Sequence, residues 1–300
     1  MRCATRSGLR HESTRKGEVS VPTDRASRSM ISNDRREVTD SSPPPTVETR
    51  PRGPMPVVTL VIGRLYEVFS RYDQPVRSHW SPYSGITDAD VDHLYARPLP
   101  DLTADDLETF ASHALTVWGD SREFRHYLPR LFELLVRVPH WTDADLLLAK
   151  LQAADWSEWP QDERMAVLSY FSALWNWSLD ASTDQIVAKD VLRGVGLAGE
   201  NLGPYLERWR QAVSYDAAQQ LALLVIREAR SLEMSHSVGA SWHPKDRELV
   251  SAFLLAPETL RALEETYSTH SSRLEASDIA DAADILRPLL EHPRCRPSLS

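Results

Sequence analysis

From Val57 onward, apolar side chains recur three and four positions apart, the period of helices that bury one face. Leu60, Ile62, Leu65, Val68, Phe69 and Tyr72 are read as the apolar face of a first helix near 58–72, which ends before Pro75. The next stretch, Pro75 to Gly85, contains Trp80-Ser81-Pro82-Tyr83-Ser84-Gly85 and is read as a loop. Beyond it, the pattern predicts helices near 87–96, 103–117, 121–136, 142–153, 160–178, 183–194, 203–213, 215–234, 244–254, 257–268 and 275–291. No stretch reads convincingly as a strand.

The starts of these helices share a grammar. Thr87 followed by Asp88 and Asp90, Thr103 by Asp105 and Asp106, and Thr142 by Asp143 and Asp145 each place a hydroxyl before acidic groups. The hydroxyl accepts from a free N–H of the first turn, and the carboxylates favour the positive end of the helix dipole. Pro160, Pro244 and Pro257 suit the first helical position, where a missing N–H costs nothing.

About a dozen short helices with short connections fit an all-α, irregular α-solenoid-like (superhelical) array better than a four-helix bundle, which needs longer elements. The threonine caps are unevenly spaced, so no named repeat applies, and an irregular globular bundle is the alternative. Residues 1–55 lack periodicity, are rich in Ser, Thr, Arg and Pro, and are expected to form a disordered tail. An over-extended start competes with a functional tail, Met55 or Met30 being the other candidate first residues. The folded domain is placed at 56–293, with a disordered C-terminus at 294–300.

Charge narrows the function classes. Residues 1–54 hold 11 basic and 7 acidic side chains, leaving 23 basic and 36 acidic in the rest, so the folded part is acidic. Phosphate backbones are bound through clustered Lys and Arg, which argues against nucleic acid as a partner. No apolar stretch approaches the roughly 20 residues that cross a bilayer, and no signal-peptide pattern is present. The two cysteines, Cys3 and Cys295, lie near the chain ends and cannot staple a core. A cytoplasmic protein without membrane association is expected.

Gly194-Val195-Gly196-Leu197-Ala198-Gly199 is a literal G-x-G-x-x-G. A dinucleotide site needs that turn between a strand and a helix, whereas residues upstream of Gly194 read as a helix, so a helix end followed by a flexible link is favoured. Ten histidines occur without the i, i+4 pair or H-E-x-x-H spacing that makes a metal site recognisable. Nine tryptophans, with Trp156, Trp159, Trp175 and Trp177 close together, are read chiefly as helix-packing core, with an aromatic-lined groove as the functional alternative.

The segments Leu94 to Leu99, Leu102 to Leu107, Ala114 to Asp120 and Phe124 to Leu134, containing Thr116-Val117-Trp118-Gly119-Asp120 and Leu128-Pro129-Arg130, resemble a family of uncharacterised bacterial all-helical proteins. The likeness covers about residues 65–180. It implies a helical fold and no activity. Members often hold a cysteine cluster after the first helix. Here that loop reads Arg77-Ser78-His79-Trp80-Ser81-Pro82-Tyr83, without a thiol, which puts a metal role in doubt.

The expectation is therefore a non-enzymatic protein- or peptide-interaction module with no cofactor and no assigned catalytic residue. Its candidate binding residues are Trp118 as a contact ring, Asp120, His126 and Arg130 as an anion contact. Competing local readings make Trp118 core, Asp120 a helix cap and Arg130 the partner of an internal carboxylate. The alternative function is a metal-dependent enzyme or metal-binding protein whose His/Asp/Glu cluster assembles only in three dimensions, with His113, His126, Asp120 and Glu123 near one turn.

Overall fold

The computed structural model describes residues 56–75, 80–81, 85–273 and 275–291, all within one compact unit, Arg50–Ser300. The expected tail, the C-terminal residues from 292 and His79 lie outside the described residues. Among the described residues the chain forms twelve α-helices and no strand: α1 (Pro56–Phe69), α2 (Asp88–Tyr95), α3 (Ala104–His113), α4 (Ser121–Arg137), α5 (Ala144–Ala153), α6 (Gln161–Asp180), α7 (Ala188–Leu197), α8 (Gly203–Arg210), α9 (Tyr215–Ser235), α10 (Pro244–Leu254), α11 (Pro257–His270) and α12 (Ala276–Glu291). The protein is all-α, and none of the described helices is long and apolar enough to cross a membrane.

The caps follow from the side chains. Thr87 and Thr103 each accept from the backbone N–H three residues on, while Asp90 and Asp106 reach back to the capping residue, completing two reciprocal boxes. Thr142 departs from this grammar. Helix α5 starts after Asp143 with no side-chain cap from that residue, while Asp145 in its first turn is buried, accepts from Leu146 N (2.9 Å) and is ion-paired with Arg193 of α7. In α1 the predicted Ile62, Leu65, Val68 and Phe69 are buried together with Val58, and Leu60 alone departs from the predicted face, 76% exposed.

Helix α6 is buried along most of its length because α1, α7, α8 and α9 all pack against it. Its weak amphipathicity has that cause, since a helix enclosed on several sides needs no polar face. Helix α1 also packs on α4, α5 packs on α7, and α9 packs on both α11 and α12. The N-terminal half is thus joined by contacts between helices distant in sequence, whereas α11 and α12 rest on a chain neighbour and on α9.

Tryptophans tie these helices together at defined points. Trp141 Nε1 donates to the Ala104 carbonyl (2.9 Å), Trp156 to Ala198 (2.7 Å), Trp175 to Tyr205 (3.0 Å) and Trp209 to Ala217 (3.1 Å). Each ring buries apolar area worth a few kcal/mol at ~25 cal/mol/Å², and its N–H satisfies a carbonyl on another segment. The expected tryptophan core is present: Trp156, Trp159, Trp175 and Trp177 are all buried.

The glycine-rich run lies in and after α7, with no strand before it. Gly194 and Gly196 are helical, so α7 extends past the predicted end at 194. The chain leaves the helix at Gly199, whose φ of 101° is open to glycine, and Glu200 N donates to the Val195 carbonyl across that turn (3.2 Å).

Candidate functional site

The four residues singled out in the sequence are all engaged by the fold. After α3, Leu115 takes φ 67° and Gly119 φ 68°, a tight turn that folds Trp118 inward against Phe110 (ring centroids 5.5 Å apart). Trp118 is 1% exposed, so its ring belongs to the core and not to a contact surface. The φ of 68° at Gly119 is one that L side chains rarely adopt, which accounts for glycine there, and an added Cβ would also stand 2.5 Å from Glu123 Oε2. Asp120 is the N-cap of α4, its Oδ1 accepting from Arg122 N and Glu123 N at 2.9 Å each.

His126 and Arg130 point away from solvent as well. His126 is buried and hydrogen-bonds through Nδ1 to the Tyr72 carbonyl (2.8 Å); burial holds its pKa below the ordinary 6.5 despite that bond and nearby Asp73. Arg130 donates from Nε to the Leu102 carbonyl (2.7 Å) and from Nη1 to Glu133 (2.7 Å). Glu133 also accepts from the Tyr66 hydroxyl (2.6 Å) and pairs with Arg137 (2.8 Å). Burial would raise the Glu133 carboxyl, but these donors and cations outweigh it and hold the pKa below the usual range.

A second polar knot lies between α1, α4 and α6. The Tyr72 hydroxyl donates to Glu163 Oε1 (2.7 Å) and accepts from Arg125 (2.7 Å), whose guanidinium lies 4.5 Å from the Trp159 ring centroid. Glu163 is fully buried, with Arg71 and Arg125 each 3.6 Å away. Opposite charges and ring faces enclose this carboxylate, an arrangement that locks three helices together. Among the described residues no three His, Cys, Asp or Glu side chains gather in a way that could hold a metal ion.

Among the described residues an apolar concavity with a solvent opening lies elsewhere, where the α8–α9 corner faces α11. It measures about 270 Å³. Trp209, Leu221 and Phe253 provide its buried apolar wall, and Val213, 95% exposed, stands at its lip in the turn between α8 and α9. The opposite wall is one stripe of α11: Glu258, Ala262, Glu265, Thr266 and Thr269. Only Thr259 and Leu263 of α11 are buried, so the helix is held from one side and leaves the stripe open. An apolar floor ringed by charged and hydroxyl groups, among them Arg210, Glu258, Glu265, Thr266 and Thr269, offers a ligand both packing surface and polar contacts.

Charge at the groove is not balanced internally. Arg210 is bonded to Glu207 (3.2 Å) and lies over the Phe253 ring (5.4 Å from its centroid), and His270 meets Tyr215 edge-on. The carboxylates of Glu258 and Glu265 make no hydrogen bond and no ion pair. The sequence reading missed these residues. Their signal was a stripe of small and polar residues on α11 where a packed helix would carry large apolar ones.

No protein-family model, curated protein or solved structure matches this chain, so its functional reading rests on its own geometry.

Proposed function

We propose that this protein is a non-enzymatic interaction module, and that its contact site is the groove between the α8–α9 corner and α11. One observation carries the reading: a buried wall of Trp209, Leu221 and Phe253 opens to solvent beside the fully exposed Val213. The exposed Val213 at the lip of a concavity floored by apolar side chains gives an incoming apolar side chain a surface to pack on. The volume suits one or two such side chains of a peptide more than a large cofactor.

The test is selection of random peptides on the immobilised protein, followed by binding of the enriched peptides to Ala262→Trp, which fills the groove from its exposed wall. Loss of binding in the variant is expected. Enriched peptides that bind the variant as tightly as the native protein would move the contact site off this groove.

A further inference from the structure

We infer that the natural occupant of this groove is a cationic amphipathic helix of a partner protein, which seats apolar side chains on the Trp209–Phe253 wall and basic side chains on Glu258 and Glu265. The inference rests on the groove being the contact site and adds the chemistry of what fills it. Glu258 and Glu265 are seven residues apart on α11, two helical turns, and both line the concavity. Residues at that spacing share a helix face about 10 Å apart along the axis, the same spacing at which an apposed helix repeats its own face.

Both carboxylates are exposed and unpaired, whereas the basic groups of the same groove are already occupied: Arg210 by Glu207 and the Phe253 ring, His270 by Tyr215. Arg261, exposed on the same helix between the two glutamates, offsets part of this charge, but the lining itself carries two carboxylates against Arg210 and is negative, which attracts lysine or arginine over an acidic segment. The acidic balance of the whole chain, with 43 acidic against 34 basic residues, reinforces the sign. A helix that lays an apolar stripe into a groove presents anchors at i, i+3 or i+4 and i+7, and its flanking positions then fall on the two glutamates.

The experiment is calorimetric titration of the full-length protein with three synthetic amphipathic peptides sharing one leucine face, their rim positions carrying lysine, glutamine or glutamate. The lysine peptide is expected to bind tightest and to weaken as salt is raised. The isosteric double variant Glu258→Gln/Glu265→Gln is expected to weaken the lysine peptide by about five- to tenfold while leaving the glutamine peptide unchanged. Equal binding of the lysine and glutamine peptides to the native protein would overturn the cationic occupant but leave the groove in place. Unchanged binding of all three peptides to Ala262→Trp would overturn the groove itself.

Discussion

Gly194 of α7 lies so close to Asp145 of α5 that a methyl group added to it would stand 2.9 Å from the Asp145 Cα and 3.0 Å from the Leu148 side chain. The glycine motif is a helix-packing device, and its first residue sets how closely the two helices approach. Gly194→Ala is expected to destabilise the protein by about 1–3 kcal/mol, the usual cost of overpacking, outweighing the gain in helix propensity. Gly63, inside α1, has nothing within 4 Å of the same added atom. Gly63→Ala should stabilise by roughly 0.5–1 kcal/mol. Urea denaturation of the two variants checks the pair, and the same sign for both would contradict the packing account.

Gln220, buried in α9, completes the connection between α6 and α7. Its Oε1 accepts from Ala188 N (2.9 Å), and its Nε2 donates to the carbonyls of Ala181 (3.1 Å) and Ile186 (2.8 Å). Gln220→Leu leaves these backbone groups without a side-chain partner and should cost about 3 kcal/mol at roughly 1 kcal/mol per lost bond. Amide exchange at Ala188 should accelerate in the variant. Native-like protection there would show that another group had taken over the bond.

Arg130→Ala tests whether this residue supports the fold. Removing it frees the Leu102 carbonyl and takes one cation from Glu133, so a stability loss of about 2 kcal/mol is expected. Tyr66→Phe removes a different donor to the same carboxylate (2.6 Å) and should cost about 1 kcal/mol. Because both residues act through Glu133, the double variant should lose less than the sum of the two. Strict additivity in thermal melts would show the two contacts to be independent.

His126 gives stability a pH dependence of definite sign. Its folded pKa lies below the ordinary 6.5 because burial disfavours the imidazolium, so the unfolded chain binds the proton more readily. Its contribution is intact above about pH 6.5, where both states are neutral, and is lost as pH falls from there through the folded pKa. The thermal midpoint should drop on acidification across that window, and His126→Gln should flatten the drop. An unchanged slope in the variant would assign the acid sensitivity to another group.

The helical class, the helix starts at Thr87 and Thr103 and the tryptophan core were legible in the sequence because each depends on local spacing. A cap needs a hydroxyl and a carboxylate three residues apart, and an apolar face needs only period 3.6. Tertiary contacts decided the rest. Asp145 is the first-turn acid its spacing indicated, but its pairing with Arg193 of another helix was not legible, and Trp118 could be assigned to core or surface only once the Leu115–Gly119 turn had directed it onto Phe110. The groove was not legible at all, since Trp209, Phe253 and Glu258 come from three helices and line one concavity only through packing. Burial and charge pairing are properties of surroundings, which a chain brings together from distant positions, and no local pattern encodes which positions those will be.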